Sequence, residues 1–153
     1  MLVIAVTAAA VRLLVDDLVI TPFLQRFWPP EIAPVQASEI TGNVKTAALY
    51  LLIVWTFAAF GEEIAYRGYL LRRAADVGKL TTAAYLIGIA LVSVLFGYGH
   101  FYKGPAGIVS SGFAGLVLGA AFLVSGRNIW ACILAHGLID TTGIVLAYFG
   151  LAD

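Results

Sequence analysis

Residues 60–73 read FGEEIAYRGYLLRR, and this stretch decides how the rest of the chain is arranged. Two adjacent carboxylates, Glu62 and Glu63, follow an uncharged apolar run over residues 47–61, and no proline separates them from it. We therefore predict one long helix that carries both glutamates into a membrane. A charge at mid-bilayer costs at least about 2.5–3.5 kcal/mol on the insertion scale, so both side chains should face the protein interior or a wet cavity.

The two glutamates differ in their local partners. Glu63 and Arg67 are four residues apart, so they share a helix face and can form an ion pair. Glu62 points about 100° away on an α-helix and has no local cation. An unpaired carboxylate in desolvated surroundings is suited to general-base work. We therefore expect Glu62 to carry chemistry and Glu63 to support the structure.

The composition indicates an integral membrane protein. Of the 153 residues, 61% are hydrophobic and 12% are charged, whereas ordinary soluble domains are about 25% charged. Nine basic residues balance nine acidic ones, which gives no reason to expect a nucleic-acid partner. The single cysteine, Cys132, lies in an apolar run and is expected to be small core filler.

The fold class predicted from these patterns is all-α, a polytopic transmembrane bundle of about five helices. Residues 1–43 form one part, a membrane helix over residues 2–18 that ends at Thr21 and Pro22, followed by a proline-rich interfacial loop. That loop is either a simple connector or a lid over the bundle. Residues 44–153 form the helix core, with helices predicted over residues 44–75, 81–98, 105–124 and 129–151.

Local signals set several features of these helices. Arg12 and Asp16 are four residues apart in the first helix and can neutralise each other. Asn43 is a candidate N-cap, and Gly78 is a candidate C-terminal glycine for the long helix. Small residues at strict four-residue spacing in the fourth helix indicate close helix packing. This stripe consists of Gly107, Ser111, Gly115 and Gly119.

The chain has only two histidines. One lies at the end of a predicted apolar helix and the other inside one, and each has a partner four residues away in the sequence. Phe96 and His100 are four residues apart. His136 and Asp140 share one face of the last helix, where the carboxylate can bond to one imidazole nitrogen and fix the tautomer. With about 1.5 Å rise per residue, the depths from one side are roughly 22 Å for Glu62, 29 Å for His100, 12 Å for His136 and 18 Å for Asp140.

Helix tilt and the glycines before His100 can absorb these offsets, so the four side chains can line one cavity at intermediate depth. Ionisable groups inside a membrane are functional by default. Their joint occurrence therefore predicts a functional site. Excess basic charge near Arg72 and Arg73 weakly places that side, together with the N-terminus, in the cytoplasm.

The motifs E-E-x-x-x-R at residues 62–67, F-x-x-x-H at 96–100 and H-x-x-x-D at 136–140 resemble those of a known family. It is the CAAX-protease and bacteriocin-processing family of intramembrane proteases (CPBP, also called Abi), which includes the type II CAAX prenyl endopeptidases. The resemblance implies that residues 44–153 are a catalytic helix core. It implies catalytic roles for Glu62, His100, His136 and Asp140, with Glu63, Arg67 and Phe96 in support.

The implied activity is hydrolysis of a peptide bond in a membrane-associated or prenylated protein or peptide, by water that Glu62 and His100 activate. His136 and Asp140 would stabilise the oxyanion or hold a metal. The implied location is the cell membrane, as a multi-pass protein in contact with lipid. The chain departs from the family in having at most one helix before the glutamate-bearing helix, and in having Asp140 where the prenyl endopeptidases have asparagine.

A bound metal is left open by the resemblance, because the family was named as metalloproteases although a metal-free glutamate mechanism is also argued for it. Zinc ligands would be drawn from His100, His136, Asp140 and Glu62. Against zinc, the spacing is not the H-E-x-x-H helix signature.

Two other classes of function were weighed against the peptidase. One is a non-catalytic protein of the same scaffold that acts in bacteriocin immunity. The other is a proton-coupled transporter that uses Glu62 and His136, which the lack of broken helices and of an inverted repeat in the sequence disfavours.

Overall fold

The structure is a computed structural model that describes residues 1–28 and 35–151. For residues 35–37 it describes the backbone only. Within those ranges the chain forms helices and turns and no strand, which confirms the all-α prediction. The three prolines of the predicted loop, Pro29, Pro30 and Pro34, lie outside the described residues. The loop-or-lid alternative therefore stays a prediction.

The N-terminal part is more helical than predicted. Helix α1 (Leu2–Val15) continues through a π-helical segment, Asp16–Ile20, into the short α2 (Thr21–Leu24). A further short helix, α3 (Val35–Ile40), precedes the core.

The predicted helix end at Thr21 and Pro22 is wrong. Pro22 falls in the first turn of α2, directly after the π-helical segment. Proline lacks an N–H donor, but the first turn of a helix has no use for that donor. The proline therefore continues the helical path instead of ending it.

The core begins with one long helix that changes its winding along its length. It consists of α4 (Val44–Ile53), two π-helical segments (Val54–Glu62 and Ile64–Leu70) and α5 (Leu71–Asp76). We call the whole 33-residue span Val44–Asp76 the central helix. Its N-cap is Asn43, as predicted, because the Asn43 side chain accepts a hydrogen bond from the Thr46 amide at 3.2 Å.

Three further helices complete the bundle. They are α6 (Thr82–Gly99), α7 (Gly104–Val124), which follows a 3₁₀ turn at Phe101–Lys103, and α8 (Ile129–Tyr148). In the described part of the chain, four helices are long and apolar enough to cross a membrane: Val44–Asp76, Thr82–Gly99, Phe101–Val124 and Ile129–Tyr148. The protein is therefore a multi-pass membrane protein. The membrane span predicted for residues 2–18, which contain three charged side chains, is not among these four and stays a prediction.

The central helix does not end on a left-handed glycine, so that prediction for Gly78 is wrong. The residues with positive φ in this turn are Lys79 (56°) and Leu80 (57°). Gly78 is needed for space instead, because a Cβ atom added to it would lie 2.5 Å from the Cβ of Ala84. The turn packs so closely against α6 that a side chain at this position would force it apart.

The small-residue stripe of α7 packs against α6 over part of its predicted length. A Cβ atom at Gly115 would lie 2.9 Å from the Cα of Ser93, and one at Gly119 would lie 2.7 Å from Ile89. Gly107 departs from the pattern, since the nearest atoms to its missing side chain belong to Lys103. The close approach of α6 and α7 therefore depends on the middle and end of the stripe.

Helix α1 lies against α7 and α8 through small side chains. The buried cluster that joins them consists of Ala5, Ala8, Leu118, Ala121 and Ala135. Because alanines allow close contact between helices, α1 packs closely on α7 and α8.

Replacing Gly119 by alanine should lower the free energy of unfolding by about 1–3 kcal/mol, because the added methyl group overpacks against Ile89. Gly143→Ala is the matched control, since a Cβ atom at Gly143 meets nothing within 4 Å in the described chain. Thermal unfolding in detergent checks the pair. Equal melting temperatures for the two variants would contradict the packing described here.

Candidate active site

The centre of the site is a buried ion pair on the central helix. Glu63 and Arg67 are 0% and 1% exposed, and Arg67 Nη1 donates to Glu63 Oε1 at 2.7 Å. The pair predicted from the four-residue spacing is therefore formed. Burying two charges is costly unless their other polar atoms are also bonded, which makes the remaining partners of the pair important.

Arg67 reaches across to two other helices. Its Nη2 donates to the backbone oxygen of Gly115 on α7 at 3.1 Å. Its guanidinium also lies over the ring of Phe96 on α6, 4.7 Å from the ring centroid. A cation over an aromatic face is stabilised by the ring quadrupole, more so when water is excluded. A single arginine thus joins the central helix to α6 and α7.

Glu63 holds His136, a contact that the sequence did not predict. His136 Nδ1 donates to the same Oε1 atom of Glu63, at 2.9 Å. Its other nitrogen, Nε2, is 3.5 Å from Oδ2 of Asp140, whose side chain is 27% exposed. The orientation of His136 is therefore set mainly by Glu63, whereas the spacing in α8 had assigned that role to Asp140.

Phe96 is placed between the arginine and both histidines. The ring is 2% exposed, and its centroid is 4.8 Å from that of His100 and 6.0 Å from that of His136. Tyr66 contacts it edge-on at 4.9 Å. Phe96 is therefore the packing surface on which both imidazole rings and the guanidinium rest.

His100 lies at the C-cap of α6, and its tautomer follows from a backbone contact. Its Nδ1 is 2.8 Å from the carbonyl oxygen of Phe96. A carbonyl oxygen can only accept, so Nδ1 carries the proton and Nε2 presents a lone pair. No described residue bonds to Nε2. His100 thus offers one acceptor nitrogen at the edge of the site.

Glu62 has no comparable partners. It is half-buried, and its Oε2 atom is buried without a hydrogen bond from any residue that the structure describes. It lies within electrostatic range of His136, His100 and Asp140. The two glutamates therefore differ at one oxygen atom. Oε1 of Glu63 accepts from Arg67 and His136, whereas Oε2 of Glu63 is buried without a partner among the described residues, as Oε2 of Glu62 is. That the four side chains line a common cavity stays a prediction.

The two glutamates also mark an irregularity in the central helix. Glu62 ends the first π-helical segment, and Glu63 separates it from the second. Departures of this kind inside helices are rare and are frequent at functional sites. A sequence pattern interpreted with 3.6 residues per turn could not predict this change from α-helical to π-helical winding.

The residues expected to hold a metal are not grouped as a ligand set in the described part of the chain. Across residues 1–28 and 35–151, no group of three or more His, Cys, Asp or Glu side chains is arranged to hold an ion. Both Nδ1 atoms are engaged, by Glu63 and by the carbonyl of Phe96, which leaves the two Nε2 atoms as the imidazole nitrogens that could reach an ion. The ligand set His100, His136, Asp140 and Glu62 stays a prediction.

Fold and site together define a class of protein: a multi-pass helical membrane protein with carboxylates and histidines gathered between its helices. The family described as Type II CAAX prenyl endopeptidase Rce1-like matches residues 44–142, more than half of the chain. The chain belongs to this family, which confirms the resemblance and indicates a peptidase. No curated protein and no solved structure matches the chain.

Replacing Glu63 by glutamine should destabilise the protein by about 3–5 kcal/mol, because it leaves Arg67 buried without its counter-charge. Glu62→Gln is the matched control, with the same chemical change one residue earlier at a half-buried carboxylate. Melting temperatures in detergent compare the two variants. A Glu63→Gln protein that is as stable as Glu62→Gln would show that the two glutamates are assigned wrongly.

Proposed function

We propose that the protein is an intramembrane endopeptidase that hydrolyses a peptide bond of a membrane-associated or prenylated, CAAX-type protein or peptide. Glu62 is the general base of this reaction. The observation that carries the proposal is that the Glu62 carboxylate has no hydrogen-bond partner among the described residues, whereas Oε1 of the adjacent Glu63 accepts two bonds. Glu62 also lies within electrostatic range of both histidines. A carboxylate left without partners beside two imidazoles is poised to accept a proton.

In the first step, Glu62 takes a proton from a water molecule while the water oxygen attacks the scissile carbonyl carbon. His100 orients that water, because its Nε2 lone pair can accept a second hydrogen bond from it. The carbonyl oxygen then carries the negative charge of the tetrahedral intermediate. The base comes from the middle of the central helix and the orienting group from the C-cap of α6.

The charge on the oxyanion is met by His136. Its Nδ1 donates to Glu63, and its Nε2 is 3.5 Å from Asp140, at the outer limit of a hydrogen bond. We take His136 as the imidazolium between the carboxylates of Glu63 and Asp140, because only that form donates through both ring nitrogens. Its Nε2–H can turn its bond to a developing oxyanion, and preorganised donors of this kind account for large rate effects. In the last step the protonated Glu62 gives its proton to the leaving nitrogen as the C–N bond breaks.

We place the enzyme in the glutamate-dependent subclass and derive no step through a metal. This choice is supported by the absence of any group of three metal-type donors among the described residues. The carboxylate and imidazole groups also account for every proton transfer in the proposed reaction. The cell membrane is the proposed location, in line with the apolar side chains on the outer surfaces of the central helix and α6, which include Phe57, Leu91 and Val94.

Glu62→Gln should abolish cleavage of a farnesylated CAAX-type peptide, a loss of roughly 10²–10⁴-fold, while leaving the fold intact. Mass spectrometry of peptides incubated with purified protein in detergent measures it, with wild type beside the variant. Cleavage by the variant at the wild-type rate would overturn the assignment of the base. An immunity phenotype in cells that survives Glu62→Ala would instead favour the non-catalytic alternative.

Treatment with a chelator should leave cleavage unchanged, and fully active protein should contain far less than one equivalent of metal by elemental analysis. Asp140→Asn should lower activity modestly without making it sensitive to chelator, because asparagine still hydrogen-bonds. Loss of activity with chelator and recovery with zinc would contradict the metal-free proposal and reinstate the ligand set predicted from the sequence.

A further inference from the structure

A second buried polar cluster lies on α1, in the part of the chain that the family match does not cover. Arg12 Nη1 pairs with Asp16 Oδ2 at 3.0 Å, and Arg12 Nη2 donates to the hydroxyl of Ser110 on α7 at 2.8 Å. Thr21 also donates to Asp16, at 3.3 Å. The side chains of Arg12 and Asp16 are each 12% exposed. The guanidinium is therefore held in one place from two helices.

Stability alone gives little reason for this cluster. Arg12 Nε and Asp16 Oδ1 are buried and have no hydrogen-bond partner among the residues that the structure describes. A buried ion pair with unsatisfied atoms is often no better than apolar side chains of similar size. The Arg12–Asp16 pair therefore points to a use outside its own helix.

The packing of α1 on α8 shows where Arg12 lies. The sulfur of Met1, at the start of α1, accepts a hydrogen bond from the side chain of Asn128, at the start of α8. These two residues are 127 positions apart in the sequence. Ala8 and Ala135, with the same offset, belong to one buried cluster. The two helices therefore run side by side in the same direction. The same offset brings Arg12 level with Ile139, next to Asp140.

Asp140 accordingly lies within electrostatic range of His136, Lys103, His100 and Arg12, in decreasing order of effect. Lys103 is exposed, and its ammonium group lies near the ring of Tyr102. Its charge is screened by water, whereas that of a largely buried guanidinium is screened much less. Asp16 begins the π-helical segment that follows α1, one turn beyond Arg12, so the positive end of the Arg12–Asp16 pair is the end nearer to Asp140.

We propose that Arg12 is a positioning residue of the active site, which draws the Asp140 carboxylate toward α1 and so keeps the Nε2–H of His136 available. This inference rests on the role proposed above for His136. Without Arg12, Asp140 closes on His136 and competes with the oxyanion for its donor. The effect falls on the chemical step, since substrate binding does not require that donor.

The test uses full-length protein labelled with ¹⁵N-histidine in detergent. Because the chain has two histidines, the imidazole spectrum is simple to assign with single histidine variants. Arg12→Gln should shift the His136 Nε2 signal, and Arg12→Lys, which keeps the charge, should restore most of it. Asp17→Asn is the matched control, an exposed carboxylate one residue from Asp16, and should shift nothing.

The decisive comparison repeats Arg12→Gln in the Asp140→Asn background, where it should cause no further shift because the residue that transmits its effect is gone. An equal shift in both backgrounds, or none in either, would overturn the inference. If Arg12→Gln does not fold, the double variant Arg12→Gln/Asp16→Asn removes both charges together. Its effect on the His136 signal is then compared with and without Asp140→Asn.

Cleavage of the farnesylated peptide gives the functional counterpart. Arg12→Gln should lower kcat by up to roughly a hundredfold with little change in KM, the result expected when a catalytic group is misplaced. A change confined to KM would overturn the inference. If wild-type protein cleaves nothing, the proposed function fails, while the imidazole shifts still decide whether Arg12 acts on His136 through Asp140.

Discussion

The buried pair of Glu63 and Arg67 is the interaction on which the rest of the structure depends. Two charges inside an apolar bundle are tolerable only if neighbouring helices supply further bonds. Here Gly115 on α7, Phe96 on α6 and His136 on α8 each supply one contact. The need to satisfy one arginine and one glutamate thus brings three helices around the central helix in a defined rotation.

Adjacent glutamates acquire different properties because they face different surroundings. Glu63 is 0% exposed, and its Oε1 accepts from both Arg67 and His136. Glu62 is half-buried and its carboxylate has no hydrogen-bond partner in the described chain, although Oε2 of Glu63 is also buried without one. Pairs of carboxylates with divided roles are a recurring way of running acid and base chemistry in one site. In this protein the two carboxylates lie where the first π-helical segment ends and the second has not begun.

Glycines make the site possible by letting side chains and backbone come close to it. The carbonyl of Gly115 can accept from Arg67, and the absent side chain at this position also lets α6 approach α7. Gly137, next to His136, has a similar effect, because a Cβ atom there would lie 2.5 Å from the ring of Trp55. The indole N–H of Trp55 donates to Thr141 at 3.1 Å, so the central helix and α8 are joined on both sides of Asp140.

What the sequence determined by itself is local. Apolar runs of sufficient length predicted the four core helices, and four-residue spacing predicted the pairs Glu63–Arg67 and Arg12–Asp16, because neighbours on one helix follow from its periodicity alone. Only the tertiary structure decided that Glu63 bonds to His136 and that Arg67 reaches Gly115. Such contacts depend on the depth and rotation of one helix against another. Those depend in turn on close glycine packing and on π-helical winding, and no repeat in the sequence encodes either of them.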